Sequence, residues 1–299
     1  MSRRLTRPSL PYPHPSVVRP ALARVASPRF VLQAALATAV TLFGAQPIFA
    51  WGDKGHRVVA IVAEGRLDPA THEAVRSLIG PSTLRDVATW ADDIRRDRPE
   101  TAPWHYVDIP LDRADYDPAR DCAHPRNGDC IVGALERFQR VLADARRARA
   151  ERAEALRFVA HFVADLHQPL HCADNRDRGG NDVEVVFFGE VLNPFSGKPW
   201  NLHAVWDAGL IERRGLSVSD YARRLTGRIG RDVESELERG TVVDWVAESH
   251  RAAVETSYRL PPDRALGDEY AAQALPVVDD MLAKAGIRLA KILNDALDH

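Results

Sequence analysis

The chain has 299 residues, with 40 Lys and Arg against 42 Asp and Glu, for a formal charge of −2. It is 45% hydrophobic and 27% charged with three cysteines, which excludes low-complexity disorder, a collagen-like repeat and a disulfide-dense miniprotein. No apolar run reaches the roughly 18–20 residues of a spanning helix, so a multi-pass membrane protein is excluded. Near-neutrality also argues against a protein that coats polyanions by bulk charge.

The first fifty residues differ from the rest. They hold six arginines, no lysine and no acidic side chain, and lead through the apolar stretch Phe30–Phe43 to a small-residue exit at Ala50. That is the layout of a secretory signal peptide, with residues 1–50 removed and 51–299 as the mature domain, secreted or periplasmic. Without the six arginines, 34 basic side chains face 42 acidic ones, a charge of −8. Stable membrane insertion of the mature chain is not expected, and a monomer is.

From Trp51 onward, helical periodicity dominates. Apolar residues recur at three- and four-residue spacing over 56–67, 69–79, 131–148, 151–166, 204–212, 217–229, 242–258 and 267–296. Alternation over 182–189 (DVEVVFFG) predicts a short hairpin strand pairing near Val191. No repeat or long internal linker appears, so a single all-α domain with a small β-hairpin is expected. Cys122 and Cys130 flank a short loop and fit a disulfide outside the cytosol, or metal ligation with His124; Cys172 is then unpaired.

Histidines and aspartates fall at ligand-like spacing. His161 and Asp165 lie four apart on one helix, which puts both side chains on one face, and His171 follows just after Pro169. His203 and Asp207 repeat the pattern. Upstream stand Asp92 in WADDIR, His105 in WHYVD, and Trp51 and His56 in WGDKGH. A single such pair is usually a surface ion pair or a capped core histidine. Two pairs with His171 beside one of them make a zinc site an equal alternative, since imidazole and carboxylate suit that ion.

In this order, WGxxGH, WADDIR, WHYVDIP, FVAHFVADLHQPLHCADNRDRGGND and NLHAVWD resemble the zinc-dependent S1/P1 nuclease family over Trp51–Asp207. The resemblance implies an all-α fold shared with zinc phospholipase C, and three Zn²⁺ ions. Carried over, one ion takes Asp92, His105, His161 and Asp165. A second takes His171, His203 and Asp207. A third takes the α-amine and carbonyl of Trp51 together with His56, and Asp165 bridges to it.

By the same resemblance, Asp108 orients the attacking water, Arg95 stabilises charge on the phosphate, and Asn181 lies near the substrate. The implied substrates are single-stranded DNA and RNA, cut to 5′-phosphorylated products, together with 3′-nucleotides. Tyr106, Phe187 and Phe188 are candidates for base stacking, although core packing is the commoner use of such residues. His167 reads as structural or as a neighbour supporting the ligands, rather than as a ligand itself, and Cys172 as a packed small residue rather than a fourth donor. The rivals are a zinc phospholipase C, in which the last ligand of the second site is Glu rather than Asp207, and a non-catalytic zinc protein, which would have no need of Asp108 and Arg95.

Overall fold

The structure, a computed structural model, describes residues 51–122 and 129–298, with only the backbone described at 231–233. The expected leader 1–50, His124 and His299 lie outside the described residues. Among the described residues twelve α-helices follow one another: α1 Asp53–Glu64, α2 Pro69–Ile79, α3 Leu84–Val87, α4 Trp90–Asp93, α5 Ile131–Ala143, α6 Arg149–Leu166, α7 Leu202–Ala204, α8 Leu210–Arg213, α9 Val218–Thr226, α10 Arg231–Leu237, α11 Val242–Ala252 and α12 Asp268–Leu297. The all-α expectation holds. Among the described residues no helix is long and apolar enough to cross a membrane.

Helix ends follow local chemistry. Pro69 opens α2, and Gly80, at φ +73, closes it. The expected helix 131–148 stops at Ala143, because Asp144 turns extended and its carboxylate accepts from Arg146 N and Nε. The next helix then starts two residues earlier than its periodicity, at Arg149, with Glu151 accepting from Ala148 N. Short α3 carries a Thr83–Asp86 capping box; four residues fall below the length at which periodicity can be read.

The core forms where α12 packs against α1 and α6, and α5 against α6. Gly286 makes the first contact possible: a Cβ there would lie 2.4 Å from Val62 Cγ1. Gly55 plays the same part beneath Trp51, whose Cβ is 2.8 Å from the position a methyl would take. Trp51 is wholly buried.

The β ornament is richer than a hairpin. Antiparallel bridges Phe187–Glu190, Glu184–Asn201 and Leu192–Pro199 form the expected turn-back past Val191. The regular ladder, however, is parallel, pairing β1 (Val186–Phe187) with β2 (Ala265–Leu266). That partner lies far along the chain, where alternation in the first strand cannot indicate it. Cys122 and Cys130 are joined as a disulfide, with Cα atoms 5.1 Å apart. This decides between the two readings of the pair, since bonded sulfurs hold no metal.

Candidate metal centre

Helix α6 builds the centre. Its i, i+4 pair His161 and Asp165 is fully buried, and Asp165 is reached from three directions. Asp165 Oδ2 lies 2.8 Å from His105 Nδ1 and 3.2 Å from His161 Nε2. Those two ring nitrogens are 3.2 Å apart. Asp92 closes the group, 3.7 Å from each ring. The opposite oxygen, Asp165 Oδ1, lies 3.2 Å from His56 Nε2, and the His56 ring stacks on His161 at 4.0 Å between centroids.

A second cluster forms from His171, His203 and Asp207, whose donor atoms all lie within 4.8 Å of one another. His203 and Asp207 face each other at 3.3 Å, although the helix widens through Val205–Gly209 on the way. The two clusters share a backbone. His105 O accepts from His171 Nδ1 at 2.7 Å, and Val107 N donates to His171 O at 2.8 Å. His105 thus points its ring into one cluster while its carbonyl orients the other.

Three of the cluster histidines use the same device. His161 Nδ1 donates to Ala88 O, His171 Nδ1 to His105 O, and His203 Nδ1 to Gly179 O, each at 2.7 Å. A carbonyl can only accept, so these rings keep a proton on Nδ1, which leaves Nε2 as the atom that can bind a metal. His171 Nε2 and His203 Nε2 are buried with no hydrogen-bond partner, as are both His56 nitrogens, His105 Nε2 and Asp165 Oδ1. Buried polar atoms are seldom left so. Neighbouring donors in tetrahedral zinc sites stand about 3.3 Å apart, as the bond lengths require. The residues fit the ion.

The electrostatics agree. Burial pulls the His161 imidazole down, yet Asp165 and Asp92 outweigh it and lift it to about 9. Asp165 is held well below the carboxylate range, because burial is overcome by His161 and by hydrogen bonds from the rings around it. The two carboxylates therefore draw a positive charge inward, and a metal ion competes with that proton for the same lone pair. Burial lowers His105 to about 4, and burial with His171 lowers His203 to about 3, so both rings are neutral donors near neutral pH. Burial raises Asp207 well above the usual range, against the bond from Gln168.

The remaining expected residues lie around these clusters. Arg95 Nη1 donates to Asp92 Oδ1 at 3.1 Å, and its charge is also felt at His203 and Asp207. Asp108 is partly exposed, and burial together with its charge raises the neighbouring Tyr106 phenol. Asn181 Nδ2 donates to Arg178 O at 2.8 Å, in the loop that orients His203. Gly179 is required there: it sits at φ +61, and a Cβ would come within 2.5 Å of Leu170 O. Of the aromatic candidates, Phe187 is packed against Trp200, while Tyr106 and Phe188 remain partly exposed. Gly52 N donates to Asp207 O, tying the Trp51 segment to the second cluster.

Sequence reasoning missed Gln168, which donates to Asp207 Oδ1 at 2.6 Å. Its only signal was its place between His167 and His171 in HQPLH. His167 is structural, donating from Nδ1 to Val163 O and accepting from Arg288 Nη1. Cys172 is packed and donates to Leu166 O, apart from the ligand atoms.

Two adjoining groups of buried imidazoles and carboxylates within a helical shell make a candidate metal centre of the kind metallohydrolases use. The sequence pattern of the S1/P1 Nuclease family matches residues 51–298. The chain is similar to Nuclease S1 of Aspergillus oryzae, 31% identical over 290 residues, covering 86% of this chain and 95% of that one. It is similar to Endonuclease 2 of Arabidopsis thaliana, 30% identical over 284 residues, covering 85% and 92%. Nuclease P1 of Penicillium citrinum is 28% identical over 275 residues, covering 82% and 97%. The chain belongs to the S1/P1 nuclease family, and is a nuclease of the hydrolase class.

Proposed function

We propose that the mature chain is a secreted or periplasmic three-zinc enzyme that cuts single-stranded DNA and RNA to 5′-phosphorylated products and removes phosphate from 3′-nucleotides. Asp92, His105, His161 and Asp165 would hold one ion, and His171, His203 and Asp207 another. His56, the freed amine and carbonyl of Trp51, and Asp165 would hold the third. The observation that carries this reading is Asp165, whose two oxygens face different imidazoles. Zinc held there would supply Lewis acidity and lower the pKa of water toward about 7.

The chain's own groups do the rest. Asp108 accepts a hydrogen bond from the attacking water and sets its direction toward phosphorus. Arg95 stabilises charge developing on the non-bridging phosphate oxygens. Asn181 contacts the substrate from the glycine loop. Bases freed from a duplex can settle on partly exposed aromatic faces such as Tyr106.

The test is cleavage of single-stranded DNA, single-stranded RNA, duplex DNA and phosphatidylcholine by purified mature protein, with chelator and with zinc restored. Single strands should be cut to 5′-phosphate ends, chelator should abolish this, and zinc should restore it. Hydrolysis confined to phosphatidylcholine would favour the phospholipase reading, and inertness on every substrate a non-catalytic one.

A further inference from the structure

Gln168 is fully buried at the turn that ends α6, and both ends of its amide are occupied. Leu170 N donates to Gln168 Oε1 at 2.6 Å, and because a backbone N–H can only donate, this contact fixes which end of the amide is oxygen. The other end, Nε2, donates to Asp207 Oδ1 at 2.6 Å. Asp207 is left with Oδ2, which faces His203 Nε2 at 3.3 Å. A backbone bond from Gln168 N to Asp165 O, at 2.9 Å, ties the same residue to the first cluster.

We propose that Gln168 is the positioning residue of the second metal centre: by holding Asp207 Oδ1 it presents the carboxylate through one oxygen only. The inference rests on reading His171, His203 and Asp207 as a metal site. The protein then supplies three donors there, the number found in catalytic zinc centres, whereas closed structural centres take four. The rest of the coordination is left to the phosphate substrate. A carboxylate free to swing could offer both oxygens, or turn away from the rings. The amide prevents either movement, and without it a buried carboxylate oxygen loses its donor.

The experiment is competitive chelator titration of the zinc-loaded enzyme with the bound ions counted, on wild type, His203→Ala, Gln168→Met and Gln168→Asn. Methionine keeps the length and lacks the donor; asparagine keeps the amide one methylene short, and serves if the first variant does not fold. Both should release one ion at least 10-fold more readily while the others stay as tightly bound, within the range seen for partners of metal ligands. Cobalt placed at that centre should also show a changed visible spectrum, which a merely structural loss would not cause. Release identical to wild type in both variants overturns the role of Gln168. If His203→Ala leaves the ion count unchanged, the metal-site reading fails and takes the inference with it.

Discussion

Asp165 turns Oδ1 toward His56 Nε2 at 3.2 Å while Oδ2 serves the other rings, so one carboxylate stands between α1 and the rest of the cluster. An amide has the same shape but neither the charge nor the second acceptor. Asp165→Asn should therefore lose more than one ion and reduce strand cleavage by at least about 100-fold, beyond what indirect ligand partners cost. Zinc counting beside circular dichroism checks this. Full zinc content with near-normal turnover in a folded variant would show that Asp165 does not bridge.

Trp51 offers a test of processing. An α-amine has a pKa of roughly 7.7–8.0 and can deprotonate to bind zinc, whereas a peptide nitrogen cannot. A chain beginning Met-Trp51, with the methionine retained, should hold one ion fewer than a chain beginning at Trp51 and be nearly inactive. Equal zinc content and equal turnover would remove the amine from the site.

His167 sets a pH dependence of stability. Burial, with Arg288 beside it, pushes its imidazole down to about 3. In the unfolded chain the value is about 6.5, so as pH falls the unfolded state takes the proton first and stability is lost from about 6.5 toward about 3. Stability should fall by up to ~1.4 kcal/mol per pH unit from this group. In urea melts at fixed excess zinc, His167→Gln should show a shallower slope between pH 6.5 and 4, whatever its absolute stability. Parallel slopes would mean that His167 does not contribute.

How much of this was legible in the sequence follows from distance along the chain. His161 with Asp165, and His203 with Asp207, are local facts, because four residues of helix fix where the side chains stand. Their joining with Asp92, His105 and His171 depends on long-range packing, and only the family resemblance supplied it. The tautomers were invisible for a related reason: Ala88, His105 and Gly179 act through carbonyls that every residue owns. The parallel partner of β1 and the short helices α3, α4 and α10 escaped because neither alternation nor periodicity extends far enough to reveal them.

Gly286 tests the packing that places the site. A methyl there meets Val62 on α1 at 2.4 Å and Val59 O at 3.2 Å, so Gly286→Ala should destabilise by about 1–3 kcal/mol through overpacking. Gly230, at φ −81 with open space around it, is the control, and alanine there should be tolerated. Thermal melts of the two variants decide it. Equal midpoints would mean that α1 and α12 part without cost.

The Cys122–Cys130 bond closes just ahead of α5, and Ile131 N, the first donor of that helix, bonds Tyr106 O in the segment that runs to Asp108. In a reducing compartment the bond stays open, and the start of α5, with the Tyr106 carbonyl bonded to it, loses a covalent anchor. Under the proposed processing, the Trp51 amine waits on the cut before it. Under the proposed secretion, both events would accompany export. A strand-cutting enzyme assembled this way would be silent among its maker's own transcripts and completed only after leaving them.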